Sequence, residues 1–154
     1  MRRKDEQLLG WLSFGAFLII VGAIFLITPD LAGHIEDFVT NFELKQVRGN
    51  FYFPTPKSPH HPTLYNSLVM FCFAYGTYQI LLLILKFALR AEPTKKTETF
   101  TSIIFWLTTG FTLSMLKDRT IEWLTFIAVL IILAAIILII RSVASIIFKK
   151  HASR

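Results

Sequence analysis

Four long stretches of apolar residues constrain this chain more than any other feature of its sequence. They cover residues 8–28, 64–85, 100–116 and 122–140, and no Asp, Glu, Lys, Arg or His lies in the middle of any of them. A helix needs about 20 apolar residues to cross the hydrocarbon layer of a bilayer. With 54% hydrophobic and only 17% charged residues, the chain is more apolar than soluble domains, in which about 25% of residues are charged. The pattern predicts an all-α integral membrane four-helix bundle, in which residues 1–154 form a single domain.

The distribution of basic residues predicts how the chain is oriented. Loops on the cytoplasmic side of membrane proteins carry an excess of Lys and Arg. Segments 1–7, 86–99 and 141–154 hold eleven of the 16 Lys and Arg residues. Segments 29–63 and 117–121 hold the other five. We therefore expect both termini in the cytoplasm and a multi-pass location in the cell membrane. The net charge of +6 is then an insertion signal rather than a surface for nucleic acid.

A cleavable signal peptide is the alternative interpretation of the first apolar stretch. Arg2, Arg3 and Lys4 resemble the basic start of such a peptide. However, the apolar run is longer than the about 7–15 residues usual there, and Asp30 stands where a small residue is needed before the cut. The pattern favours a helix that is retained.

The outer segment 29–63 is the only large part of the chain between two apolar stretches. Its periodicity predicts an amphipathic helix over about 30–47, with Thr28 as the N-cap and Pro29 in the first turn. The apolar face of this interfacial helix comprises Leu31, Ile35, Phe38, Val39 and Phe42. Gly49-Asn50 ends the helix, and four prolines between residues 54 and 62 predict an extended, polyproline-like chain. The helix is either a lid or docking ridge for a partner, or a cover for lipid and helix ends.

Few residues in this sequence could carry chemistry. Ionisable groups inside membrane spans mark proton relays and many transporters, and their absence from the middle of the spans argues against proton-coupled antiport. The single cysteine, Cys72, excludes an intrachain disulfide and a site built from several cysteines. His34, Asp37 and the pair His60-His61 lack the spacing of metal-binding motifs, and no nucleotide-binding or nucleophile-elbow motif is present. We therefore expect no catalytic residues, no metal and no cofactor.

Uncharged polar residues on the second and third spans form a candidate polar seam. The six residues are Tyr75, Tyr78, Gln79, Thr101, Thr108 and Thr112. Because the two spans run antiparallel, Tyr75 lies at about the depth of Thr108, and Gln79 nearer that of Thr101. The seam is either a path for water or a small solute, or a set of hydrogen bonds between helices. Threonine can also bond the carbonyl of the preceding turn of its own helix.

Small residues at seven-residue spacing predict where the spans approach one another. Such stripes allow close helix packing, either within the bundle or against other subunits. They comprise Gly15 and Gly22, Ser67 and Ala74, and Ala128, Ala135 and Ser142.

The layout of the chain resembles that of a group of archaeal proteins. The run Thr28-Pro29-Asp30-Leu31, the amphipathic segment, the proline-punctuated loop and the polar-aromatic second span carry the resemblance. The chain is similar in these respects to small, uncharacterised four-span integral membrane proteins of archaeal type. The resemblance implies a four-span fold and no particular activity.

These observations lead to two functional hypotheses from different classes. The first is a non-enzymatic accessory subunit or scaffold that uses the outer segment as its contact surface. The alternative is a small-solute channel or carrier that uses the polar seam. The lipid bilayer is the expected partner in both, together with a protein partner or a second copy of the chain, and nucleic acid is not.

Overall fold

A computed structural model describes residues 3–57 and 61–152 of the chain. Five helices and one hairpin follow each other in the order α1 (Arg3–Ile27), α2 (Leu31–Thr40), β1 (Phe42–Arg48), β2 (Phe51–Pro56), α3 (Pro62–Ala88), α4 (Pro93–Lys117) and α5 (Trp123–Ala152). Pro59 and His60 of the predicted polyproline-like segment lie outside the described residues.

Four of these helices are long and apolar enough to cross a membrane, as the sequence predicted. The candidate spans are Leu8–Ile27, Pro62–Ala88, Pro93–Lys117 and Trp123–Phe148, of which the last is the most apolar. Proline is favoured in the first turn of a helix, because an N–H there has no partner within the helix and its loss costs nothing. Pro62 and Pro93 occupy this position in α3 and α4.

The turn between α3 and α4 is much shorter than the predicted loop 86–99, since only residues 89–92 separate the two helices. The N–H of Ala91 bonds the carbonyl of Lys86 at 2.9 Å, and the N–H of Arg90 bonds that of Phe87. These bonds form a Schellman motif, which satisfies the last carbonyls of a helix. Arg90 takes the left-handed position of this motif, with φ of 50°. Residues 93–99 are also helical, so α4 begins at Pro93, before the predicted start of the third span at Phe100.

The long helices pack in a row. α1 packs chiefly on α3, α3 on α4 and α4 on α5, and the α3–α4 contact is the most extensive of these. The contacts therefore confirm four apolar helices but not a closed four-helix bundle. Close approach of α3 and α4 depends on glycine: a Cβ on Gly76 would lie 2.7 Å from Cδ2 of Leu107, and one on Gly110 would lie 3.0 Å from Cβ of Cys72.

The small-residue stripes predicted to mark packing are mostly open. A Cβ on Gly15 or Gly22 would meet nothing within 4 Å, and Ala74, Ala128 and Ala135 are exposed. Ser142 is exposed as well, and Ser67 alone among these stripes is buried. The prediction of close packing within the bundle was wrong for the open positions, because spacing along one helix does not show which helix lies opposite.

The outer segment contains a helix of ten residues and a β-hairpin, not the predicted helix over 30–47. α2 ends at Thr40, whose hydroxyl bonds the carbonyl of Glu36, and β1 begins at Phe42. β1 and β2 pair antiparallel around Gly49, which has φ of 57°. Such a left-handed φ suits glycine in a two-residue turn. Phe42, predicted on the helix face, is therefore a strand residue.

Prolines fit this hairpin because of their register. The N–H of Lys57 bonds the carbonyl of Asn41 at 2.8 Å, and bonded and non-bonded pairs alternate in an antiparallel ladder. Pro54 and Pro56 pair with Leu44 and Phe42 at the non-bonded positions. Their missing N–H groups would have pointed to the free edge of β2, so no ladder bond is lost. The extended chain predicted for 54–56 is thus a paired strand.

The start of α2 also differs from the prediction. Asp30, not Thr28, is the N-cap, with a left-handed φ of 51° and no hydrogen bond from its side chain. Its carboxylate lies so close to Gly33 that a Cβ there would be 2.7 Å away. Thr28 is buried, and its hydroxyl lies 2.9 Å from that of Ser67 on α3. The threonine therefore joins α1 to α3 instead of capping α2.

Candidate functional site

The residues of the predicted polar seam lie on α3 and α4 and occupy several different environments. Gln79, Thr101 and Thr112 are buried. Tyr75, Tyr78 and Thr108 are partly buried. Each of three cavities described below lies elsewhere.

Two threonines of the seam, Thr101 and Thr112, bond their own helix. The hydroxyl of Thr112 donates to the carbonyl of Thr108 at 2.8 Å. That of Thr101 lies 3.0 Å from the carbonyls of both Thr97 and Glu98. A threonine bonded in this way is satisfied inside a membrane without a solute or a partner helix.

Thr101 also connects α4 to α5. It is 0% exposed, and its hydroxyl accepts a hydrogen bond of 2.8 Å from Nε of Arg141. Nη2 of the same guanidinium donates to the carbonyl of Glu98 at 3.2 Å. Sequence reasoning missed this connection, since Arg141 stands at the end of an apolar run and gives no sign of which helix it reaches.

Tyr75 belongs to a cluster of aromatic rings. Its ring is parallel to that of Phe71, with centroids 5.8 Å apart. It also forms T-shaped pairs with Phe17 on α1 and Trp106 on α4, with ring centroids 5.9 and 5.1 Å away. Pairs in these geometries are favourable beyond the area that they bury. Tyr75 therefore contributes its ring to packing between α1, α3 and α4.

Tyr78 of the seam and the neighbouring Thr109 have hydroxyls that lack hydrogen bonds. Both hydroxyl oxygens are buried, and neither has a hydrogen-bond partner within the described chain. Leaving a buried hydroxyl unpaired costs about 1–3 kcal/mol. Gln79, at 7% exposed, lies on the same helix one residue beyond Tyr78.

The predicted apolar face of the interfacial helix is divided in the structure. Leu31 is buried with Ile24 and Leu64, where α2 meets α1 and α3. Phe38 is partly buried, whereas Ile35 and Val39 are exposed. The face is therefore only half used by contacts within the chain.

Phe38 is the centre of an aromatic cluster that holds the outer segment on the long helices. Its ring lies 5.1 Å from that of Phe42 in β1 and 5.8 Å from that of Trp123 in α5. It also lies 5.4 Å from His61 and 6.2 Å from Tyr65, at the start of α3. One side chain thus joins α2 to three other elements. We call α2 and the β1–β2 hairpin, anchored in this way, the outer cap.

One face of the hairpin covers the largest of the three cavities, of about 490 Å³. Glu43, Lys45, Thr55 and Lys57 line it from the hairpin. Arg119, Glu122, Trp123 and Tyr65 are among the residues that line it from the helices. Its walls carry both signs of charge, so it has no strong preference for an anion or a cation. A second cavity, of about 230 Å³, is apolar and lies between α1, α2 and α3.

The other face of the hairpin carries an apolar area that the described residues leave exposed, although Phe42 of the same face packs on Phe38 and Trp123. In the register of the strands, Leu44 pairs with Pro54 and Gln46 with Tyr52. Leu44 is 70% exposed and Tyr52 56% exposed, and Pro54 is exposed as well. Paired residues project on the same side of a sheet. Leu44, Tyr52 and Pro54 therefore form one apolar patch, which we call the cap patch.

A signal for the hairpin was present in the sequence. Glycine followed by asparagine between two segments is a turn signal for a two-residue hairpin loop. The residues from Phe42 to Lys45 also alternate between apolar and polar, which is the period of a strand. Both signals were outweighed by the helical spacing of the preceding residues, which continues by chance to Phe42.

The described residues provide no cluster for a metal. Among residues 3–57 and 61–152, no three His, Cys, Asp or Glu side chains lie close enough to hold an ion. Cys72 is buried as a free thiol, with its Cβ against Gly110. Comparison with protein-family models, with curated proteins and with solved structures found no match.

Proposed function

We propose that this chain is a non-enzymatic multi-pass protein of the cell membrane that acts as an accessory subunit or scaffold. Four apolar helices carry the membrane part of the proposal. The excess of Lys and Arg in the segments predicted to be cytoplasmic supports placing both termini there. The cap patch is the observation that carries the functional part.

The cap patch supports a contact role because it lies outside the helices that could span a membrane. Apolar side chains of a short hairpin that are not covered by their own chain mark contact sites for other molecules. The patch is also rigidly positioned, since Phe38 and Phe42 attach the hairpin to α3 and α5. Preorganisation of this kind reduces the conformational entropy lost on binding.

The contacts of the seam support a structural role in preference to transport. Thr101 and Thr112 bond within the protein, and Tyr75 packs among rings. We therefore expect Gln79→Leu to leave any flux of small solutes through reconstituted vesicles unchanged.

A small-solute channel or carrier remains the second candidate because of one observation. The hydroxyls of Tyr78 and Thr109 are buried without a protein partner, and buried hydroxyls usually bond protein or water. Water or a solute beside each hydroxyl would supply such a bond. A flux in proteoliposomes that is lost on Gln79→Leu would favour this second function.

The membrane part of the proposal is tested by topology. A reporter inserted at Asn50 and another fused after Arg154 should report opposite sides of the membrane. Reporters on the same side would contradict the proposed arrangement of spans.

The contact role is tested by purification in mild detergent from cells that express the chain naturally. We expect a partner in a fixed ratio to the wild-type chain, and its loss when Leu44→Ser and Tyr52→Ser are combined. Leu89→Ser is the matched control, because Leu89 is exposed in the turn between α3 and α4, far along the chain from the hairpin. Equal loss with the control, or no partner in a fixed ratio, would contradict the scaffold role.

A further inference from the structure

A small cleft lies at the ends of the long helices that are farthest from the outer cap. It encloses about 190 Å³ between the start of α1, the end of α3 and the start of α4. Leu9, Gly10 and Ser13 line it from α1, and Lys86, Lys95 and Glu98 from the other two helices. These residues lie in or beside the segments predicted to be cytoplasmic.

The hydrogen bonds of Lys86 in this cleft go to neutral groups, and Glu98 is the anion whose charge acts on it. Its side chain is partly buried, and Nζ donates to the hydroxyl of Thr99 at 2.5 Å and to the carbonyl of Lys95 at 3.5 Å. An ammonium group carries three protons for donation, so these two bonds leave one unused.

The single carboxylate of the cleft is already shared. Nζ of Lys95 lies 3.8 Å from a carboxylate oxygen of Glu98. The guanidinium of Arg141 adds a further positive charge nearby, since it bonds the backbone carbonyl of Glu98 rather than its carboxylate. Among the described residues that line the cleft, two cations, Lys86 and Lys95, therefore stand against one anion, Glu98, so one positive charge is left unbalanced there.

We propose that this cleft binds the phosphate group of an anionic phospholipid. A phosphate supplies negative charge and several acceptor oxygens, which match the unused proton of Lys86 and the hydroxyl of Ser13. Leu9 offers an apolar wall beside the polar groups, as a lipid that is charged at one end requires. Gly10 leaves the cleft open, because no atom lies within 4 Å of the position of its missing Cβ.

The inference rests on the membrane insertion proposed above, but not on the scaffold role of the cap patch. Generic attraction of basic residues to the membrane surface is its main competitor, because each Lys or Arg near an anionic surface adds to binding wherever it stands. The test must therefore compare lysines inside and outside the cleft.

Lys96 provides that comparison. It stands next to Lys95 in sequence, but its Nζ lies 4.6 Å from the centre of the Phe87 ring, and it does not line the cleft. Lys86→Gln and Lys96→Gln each remove one charge from the same end of the molecule, so generic attraction changes equally in both.

The experiment titrates the purified full chain in neutral detergent with phosphatidylglycerol, with phosphatidylcholine and with inorganic phosphate, and follows the thermal midpoint of unfolding. We expect phosphatidylglycerol to raise the midpoint more than phosphatidylcholine does. Lys86→Gln or Lys95→Gln should weaken the apparent affinity about five-fold, whereas Lys96→Gln should change it less than about two-fold. A rise with inorganic phosphate that equals the rise with phosphatidylglycerol would keep the phosphate site but assign it to a soluble anion.

A second variant tests the cleft without changing charge. Gly10→Phe should fill the cleft and abolish the preference for phosphatidylglycerol, and Gly22→Phe, at an equally open position of α1, should preserve it. Equal effects of Lys86→Gln and Lys96→Gln, or an unchanged preference in Gly10→Phe, would overturn the proposal. The topology reporters at Asn50 and after Arg154 show separately whether each variant is still inserted, so failure of the cleft and failure of insertion give different results.

Discussion

The contact between α3 and α4 and the exposed surface of α1 contain the same kinds of residue but use them differently. Gly76 and Gly110 stand where two backbones approach closely, and an added Cβ would collide with Leu107 or Cys72. Gly15 and Gly22 stand in another apolar helix, α1, and face open space. In a membrane, helices associate through close packing rather than through a hydrophobic driving force. Whether a glycine is required for packing therefore depends on whether a neighbouring helix lies opposite it.

The largest test of this difference places the same substitution on each helix. Gly110→Leu should destabilise the protein by about 3 kcal/mol, at the upper end of the cost of overpacking, because Cβ of Cys72 is fixed to the backbone and cannot rotate away. Gly22→Leu should leave the free energy of unfolding nearly unchanged. Unfolding of both variants in detergent micelles measures the difference. Similar values for the two would show that the α3–α4 approach is looser than described.

A second test makes the comparison between neighbours on α2. Phe38 contacts four rings, whereas Val39 is 65% exposed. Phe38→Ala should remove the attachment of the outer cap and cost about 2 kcal/mol, since each aromatic pair contributes about 0.5–1.5 kcal/mol beyond burial. Trypsin cleavage at Lys45 or Lys57, followed over time, should become faster in Phe38→Ala only. Equal acceleration in Val39→Ala would count against the anchoring role of Phe38.

The smallest test compares two threonines of α4. Thr101 accepts a bond from Arg141 on α5, while Thr112 bonds its own helix. Thr101→Val should cost about 1 kcal/mol, because bonds between membrane helices contribute up to about 1.7 kcal/mol. Thr112→Val removes only a local bond and should cost less. The free energies of unfolding decide the order, and a larger loss for Thr112→Val would contradict it.

Sequence patterns predict the apolar helices of this chain well and the contacts between them poorly. The ends of α1 and α3 follow from hydropathy and from Pro62, because the bilayer requires long apolar segments whatever lies beside them. The third span was predicted from Phe100, whereas α4 begins at Pro93. Lys95, Lys96 and Glu98 were interpreted as loop residues, although charged side chains are compatible with a helix that extends past the hydrocarbon layer.

The candidate site shows the same limit. Tyr75 and Gln79 were assigned to one seam because they share a face of the second span, with Thr108 at about the depth of Tyr75 and Thr101 nearer that of Gln79, and periodicity can establish that much. It cannot establish that Tyr75 meets Trp106 or that Thr101 meets Arg141, since these contacts depend on which helices are neighbours. The hairpin was not predicted for a different reason. A helical pattern and a strand pattern overlap at Phe42, and the helical one was chosen, although only the strand pattern fits the turn at Gly49 and the prolines that follow.

Pro54 and Pro56 have a consequence for the behaviour of many copies of the chain at high density. A bare hairpin exposes strand backbone that could join its neighbour's and extend sideways into a fibre. On the β2 side, the two outward positions of Pro54 and Pro56 have no N–H, so a second hairpin that approaches from this side would lack donors at both of them. The covalent structure of proline thus disfavours lateral polymerisation through this flank, even at high local concentration.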